Sequence, residues 1–284
     1  MQLTLLLAVV ILSMSFSSSS KVLAAKSSCD NLQNDFALDS LLYMTQLKLE
    51  RMFEQQQMPL AFVKEHLQLG PTRIAYVISS ESGKLNLKWL LRHKSADQIE
   101  ETMSKLQEQL LLPEVVLNKS TLTVGRNARK SIIACQLFED FFTIDASGLR
   151  DIYGPAEDNR YWAAFTTLWG TGRVDINQVS PFVLRILLQD FDQQIHNRIL
   201  ELQDKGETRY PDYLRQELKL SSRQWLKLRT RVRFDSEPIY SLRATAYTNK
   251  VGKSMFCVLQ VTASGAKVLL RRQLPALQSP ALQT

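Results

Sequence analysis

MQLTLLLAVVILSMSFSSSSKVLAAKSSCDNLQNDFALDSLLYMTQLKLERMFEQQQM, residues 1–58, contains neither glycine nor proline and no acidic side chain before Asp30. Those two residues cost most in a helix interior, and the first of either is Pro59. The stretch therefore reads as a single helix, about 85 Å long at 1.5 Å per residue. A chain of this size cannot bury such a rod along its whole length. Its front end, Leu3 to Phe16, is apolar but short for a bilayer, which wants about 20 such residues; the uncharged serines 17 to 20 extend it as far as Lys21. From Leu32 the pattern becomes amphipathic, with Leu32, Phe36, Tyr43 and Leu47 along one stripe and Asp30, Asp35, Asp39, Glu50 and Glu54 interspersed. Residues 1–20 are thus expected to sit in a membrane and 21–58 to form a packed stem.

A secretory signal peptide is the other reading of the same residues. Val22-Leu23-Ala24 offers small residues for cleavage before Ala25, but Met1-Gln2 brings no positive charge and the helical pattern runs through the cleavage point. Both readings place the remainder of the chain outside the cytoplasm.

The strand signals fall at two separated places. Thr72 to Ile78 alternates, ends in the turn Ser79-Ser80-Glu81-Ser82-Gly83-Lys84, and is followed by Leu85-Asn86-Leu87. Near the other end, Ile239 to Tyr247, Ser254 to Thr262 and Lys267 to Leu274 form a meander with turns at 248–252 and 263–265. A lone strand needs partners and a covering layer. Pairing it with the meander and packing the sheet on the stem satisfies both, and makes the intervening block an insertion. That block, 91–232, reads as mainly helical. Ser95 caps a helix stopped by Pro113, and Ser180-Pro181 opens another with Val183, Leu184, Leu187 and Leu188 inside. Ile195, Ile199 and Leu202 mark a third ending at Lys205-Gly206, and Ser221 or Ser222 starts a fourth with Trp225, Leu228 and Val232. Leu122 to Val124 is expected to be extended and Gly148 to Asn159 a loop. The fold class is α+β: a pilin-like long helix packed on an antiparallel sheet (59–90 and 233–274), an inserted helical domain (91–232) and a tail (275–284).

Three stretches carry a resemblance. Val77-Ile78-Ser79-Ser80-Glu81-Ser82-Gly83-Lys84-Leu85-Asn86-Leu87, Gly170 to Pro181 with Val183-Leu184, and Ser236-Glu237-Pro238-Ile239-Tyr240-Ser241-Leu242-Arg243-Ala244 are similar, in order and spacing, to segments of the minor pseudopilin K family of type II secretion, also called general secretion pathway protein K. The resemblance implies a subunit at the tip of a periplasmic pseudopilus, anchored by one helix in inner-membrane lipid. Its implied partners are minor pseudopilins of the I and J types and the major pseudopilin. Pseudopilins carry a basic leader ending in glycine; Met1-Gln2 stands in its place here. Major pseudopilins carry a glutamate five residues into the mature helix, which K subunits lack, and this chain has no acid before Asp30. An unpaired carboxylate in lipid costs about 3 kcal/mol or more, so a subunit with nothing above it is better without one.

Other chemistry is weakly signalled. Members of the resembled family can bind calcium in the helical block, and no cofactor is assigned here. Glu139, Asp140, Asp145, Asp151, Glu157 and Asp158 supply carboxylate oxygens there, but without the spacing of an EF-hand, and no metal site is assigned. His66, His93 and His196 lack Cys or acidic partners at ligand spacing, and no serine sits in a nucleophile elbow, so no enzyme and no catalytic or cofactor-binding residue is expected. Gly170 to Lys205 also resembles the helix-hairpin-helix of membrane-anchored DNA receptors of competence. Its connection, Leu188 to Gln193, has no glycine and two carboxylates where phosphate would sit, so nucleic acid is not an expected partner. The net charge of +7 is densest from Lys219 to Arg233, which reads as a solvated helix face. With 45% hydrophobic residues the chain has material for a sizeable core. Cys135 and Cys257 lie in apolar segments, open to either a disulfide or two buried thiols, and Cys29 lies on the stem.

Overall fold

The computed structural model describes residues 2–55, 62–123, 137–144, 148–154, 160–249 and 251–274, and of residues 2–18 it describes the backbone. Helix α1 is continuous from Gln2 to Glu54. The Gln55 N–H still bonds the Arg51 carbonyl at 3.0 Å, and residues 56–58 of the expected rod lie outside the described residues.

The strands in chain order are β1 (Phe62–Leu69), β2 (Thr72–Ser80), the two-residue pieces β3 (Leu85–Asn86), β4 (Val116–Leu117), β5 (Phe142–Thr143), β6 (Thr166–Thr167), β7 (Val174–Asp175) and β8 (Val232–Arg233), and then β9 (Ile239–Thr248), β10 (Val251–Thr262) and β11 (Gly265–Leu274). The five long ones form one antiparallel sheet in the order β1-β2-β9-β10-β11. The chain leaves the sheet after β2 and returns at β9, as the sequence implied. The strand at 72–80 is not solitary on its other side, however. It forms a hairpin with β1, which the sequence hid because Lys64, Glu65 and His66 interrupt the apolar alternation of an exposed edge strand.

Side chains alternate across the sheet and create two cores. On one face Met255, Cys257 and Leu259 join Ile74, Ile78, Leu242 and Ala244 against the stem residues Ala37, Leu38, Leu41, Leu42 and Leu49. On the other face Phe256 and Val258 enter the core of the helical block, beside Tyr153, Trp162, Phe138, Leu184 and Leu228. The sheet is therefore a middle layer between stem and block.

Polar groups fix the stem in register. Asn34 donates to the Val251 carbonyl at 3.0 Å and accepts from Thr248 at 2.8 Å, and Asp30 accepts from Asn249 at 2.9 Å. Further along, Gln46 donates to the Ala266 carbonyl at 3.0 Å and Glu50 accepts from the Ala266 N–H at 2.7 Å. Ion pairs Asp35–Lys253 and Asp39–Arg271 lie between.

Here the sequence reading of the stem needs correcting. Leu32, Phe36 and Tyr43, expected to form the packed stripe, are 58%, 71% and 63% exposed, whereas Leu38 is 2% exposed beneath the sheet. The stem carries two apolar stripes about 180° apart, and periodicity alone does not say which one meets the sheet.

Between β2 and β9, the expected helices appear as Ala96–Leu110, Pro181–Leu187, Gln193–Asp204 and Ser222–Arg231. Ser95 and Ser221 each close a capping box with the glutamine three residues on, Ser180 caps the helix opened by Pro181, and Gly206 takes the left-handed backbone that ends the third. Several short helices escaped the sequence reading, Phe138–Phe141 and Trp162–Phe165 among them. Leu87–His93 starts inside the strand-like Leu-Asn-Leu because Asn86 caps it, accepting from the Trp89 N–H at 3.0 Å, and Pro211–Glu217 has the favoured proline at its first position. Lys119–Thr123 is helical where an extended piece beginning at Leu122 was expected, and Gly148–Tyr153 is helical where a loop was expected. Val124, residues 155–159, Cys135 and the tail 275–284 lie outside the described residues.

Candidate functional site

The three stretches that carry the family resemblance, 77–87, 170–181 and 236–244, meet at one junction between the sheet and the helical block. Ser82 is the pivot. Its hydroxyl donates to the Glu237 carbonyl at 3.0 Å and accepts from the Glu237 N–H at 2.8 Å, while its carbonyl accepts from the Asp175 N–H at 2.7 Å. The Thr171 N–H donates to the Glu237 carboxylate at 2.9 Å, which also pairs with Arg233, and the Asp175 carboxylate accepts from Ser236 and from the Asn177 side chain at 2.8 Å. Gly83 is required by closeness: a Cβ there would stand 2.6 Å from the Gln178 carbonyl oxygen.

A buried ion pair sits behind this seam. Lys84 donates to Glu81, to the Ala163 carbonyl at 2.9 Å and to the Ser241 hydroxyl at 3.0 Å, and Thr167 donates to the other Glu81 oxygen. Burial pushes the Lys84 ammonium below the usual lysine range, and the neighbouring Glu81 opposes that shift. Beyond the contact between them, both residues are held by groups from distant parts of the chain, Ala163, Thr167 and Ser241. Such an arrangement fixes two layers in one relative position and offers no reactive group to solvent.

The outward face of the stem has the opposite character. Leu32, Phe36, Tyr43 and Met44 are exposed large hydrophobics on a helix whose reverse side is covered by the sheet, and Val22 and Leu23 are exposed nearer the N-terminus. Scattered apolar residues need no explanation, but a contiguous stripe marks a contact surface.

The remaining expectations resolve individually. Glu139 accepts from the Tyr153 hydroxyl at 2.9 Å and pairs with Arg272, Asp140 accepts from the Leu137 N–H at 2.8 Å, and Asp151 lies on the Gly148–Tyr153 helix. Asp145, Glu157 and Asp158 lie outside the described residues. Among the described residues no group of three or more His, Cys, Asp or Glu stands together as metal ligands. In the basic run, Lys227 and Arg231 grip Asp190 at 2.6 and 2.5 Å and lie over the Phe191 ring. The hydrogen bond from Arg231 holds the Asp190 carboxyl well below the usual carboxylate range, with Lys227 adding to it. The hairpin connection thus presents to its own cations the carboxylate that phosphate would have to displace. His93 contacts the Trp89 carbonyl at 2.9 Å and stacks on its ring, His196 is buried against the Leu188 carbonyl at 2.7 Å, and His66 is exposed on β1. Cys29 is an exposed free thiol and Cys257 a buried one.

No family model matches the chain, and no curated protein matches it. Among solved structures it is similar to a chain of the GspK-GspI-GspJ complex from the type 2 secretion system of enterotoxigenic Escherichia coli. The likeness covers 88% of this chain and 98% of that one, with a TM-score of 0.50 and 15% identity. The fold is GspK-like. At this identity the likeness is one of architecture, and it agrees with the three stretches whose convergence builds the junction. The GspK-like fold also explains the order of the layers, with a long helix, a sheet, and a helical block inserted between its second and third strands. Among the described residues no helix is long and apolar enough to cross a membrane, since serines dilute the front of α1 and Lys21 follows them.

Proposed function

We propose that this chain is a minor pseudopilin of a type II secretion system that sits at the tip of the pseudopilus and helps start its assembly for protein export. The observation that carries the reading is the second apolar stripe of the stem, Leu32, Phe36 and Tyr43, left exposed opposite the sheet. A monomer gains nothing from it, whereas a filament of stems side by side buries it, at about 25 cal/mol for each Å² removed from water. The solved structure with the same fold is a complex of GspK with GspI and GspJ, which supports I- and J-type subunits as the partners that cover the stripe. The major pseudopilin lies below them in this scheme. The start of α1 holds the subunit in inner-membrane lipid until assembly in this scheme. The helical block, seated rigidly by Ser82, Glu237 and the buried Lys84–Glu81 pair, crowns the tip and blocks further addition.

Co-purification of the full-length chain from membranes with the I and J subunits of its system tests the proposal. Recovery of a stoichiometric complex supports it. Failure to bind either subunit, together with salt-sensitive DNA binding at micromolar protein, overturns it in favour of a DNA receptor.

A further inference from the structure

Asn34 lies fully buried on the sheet-facing side of α1, a polar residue in line with Leu38, Leu41, Leu42 and Leu49. Both ends of its amide are used at the β9–β10 turn. It donates to the Val251 carbonyl and accepts from Thr248, whose hydroxyl also meets that of Thr72 at 2.6 Å. Taking an amide out of water and bonding it inside gains little net stability, so an apolar residue of similar size holds a helix about as firmly. What the amide adds is a position, because its two bonds form at one height of the helix.

Several neighbouring contacts are indifferent to that height. Asp35 and Asp39, Leu38 and Leu42, and Glu50 and Glu54 each recur four residues apart. Moving α1 one turn along its axis, about 6 Å, brings Asp39 to Lys253, Leu42 into the place of Leu38 and Glu54 to the Ala266 N–H. The same step puts Leu41 over the site of Ala37 and Gln46 over that of Leu42, which opposes it through packing and polarity. It also puts Leu38 where Asn34 stood, which strands the Val251 carbonyl. We propose that Asn34 is the register-determining residue of the stem, holding α1 at one height on the sheet without adding to stability. Single buried asparagines set register in this way between helices with repeating apolar faces. A one-turn error carries Leu32, Phe36 and Tyr43 out of step with neighbouring stems, and this consequence for assembly rests on the minor-pseudopilin reading.

The test uses the full-length chain in detergent, with spin labels on Ser40→Cys and Ser264→Cys, two exposed positions, in a Cys29→Ser, Cys135→Ser background. Ser264 flanks the Glu50 end of the stem, so the one-turn step moves position 40 away from it. Pulsed dipolar distances, urea unfolding and binding of the I and J subunits are read on each variant. With Asn34 in place a single distance is expected. Asn34→Leu is expected to add a second, up to about 6 Å longer, with the urea midpoint unchanged or raised. Its Kd for the partners rises by the reciprocal of the fraction left at the short distance. Adding Leu38→Asn, which carries the amide one turn along, is expected to enlarge the longer component. A single short distance in both variants overturns the proposal. So does a lowered urea midpoint without a second distance, which marks Asn34 as an ordinary packing contact. A second distance with undiminished binding overturns its role in assembly. Absence of any complex with Asn34 in place overturns the minor-pseudopilin reading, while the distances still decide the register.

Discussion

Phe36 and Leu38 stand two residues apart on one helix and on opposite faces of it: Leu38 is 2% exposed beneath the sheet and Phe36 is 71% exposed on the outer side. Two residues of α-helix turn the chain by about 200°. Leu38 therefore serves the fold of the subunit and Phe36 its contacts. Leu38→Ala is expected to cost about 2–5 kcal/mol in urea unfolding, from lost burial and the cavity left behind. Phe36→Asp is expected to stay within about 0.5 kcal/mol of the unsubstituted chain in the same measurement while abolishing subunit association.

The Lys84–Glu81 pair predicts a different pattern. Lys84→Met leaves the Glu81 carboxylate buried without its cation and is expected to destabilise by about 3–5 kcal/mol. Replacing both residues, Lys84→Met with Glu81→Leu, regains most of that loss, because apolar packing substitutes for a buried pair more cheaply than a broken pair survives. A double-mutant cycle by chemical unfolding reads the difference directly.

Gly83 tests the seam without charge. The Cβ of an alanine there meets the Gln178 carbonyl at 2.6 Å, so the block must shift away from the sheet. Gly83→Ala is expected to cost about 1–3 kcal/mol and to raise amide exchange at Asp175 and Glu237, whose N–H groups bond Ser82.

Burial pushes the Cys257 thiol up to about 12. An unfolded thiol titrates near 8.5, so above that pH the unfolded state holds fewer protons than the folded one. The contribution of Cys257 to stability is complete below about pH 8.5 and declines from there toward pH 12, by up to roughly 1.4 kcal/mol per pH unit. Cys257→Ala should flatten the alkaline limb of the stability profile by that amount. In native protein iodoacetamide is expected to modify Cys29 and spare Cys257.

Much of the architecture was legible from α1 alone, because the absence of glycine and proline over residues 1–58 dictates a rod and a rod needs a sheet to cover it. Helix starts at Ser95, Ser180 and Ser221 were legible for the same reason: caps act through bonds three residues apart. What failed was long-range or degenerate. Two apolar stripes on one helix left the buried face undecided, and the polar β1 became a strand only by pairing with β2. The junction joins Glu81 to Thr167 and Ser82 to Glu237, partners 86 and 155 residues apart, and no local pattern marks such pairs.

The most direct measurement is photo-crosslinking in membranes, with a photoreactive side chain at Phe36 and, as a control, at Arg223 on the outer surface of the helical block. The account predicts crosslinks from position 36 to an I- or J-type subunit and none to these subunits from position 223. Position 36 remaining uncrosslinked while both subunits are present, or the two positions capturing the same subunits equally, contradicts it.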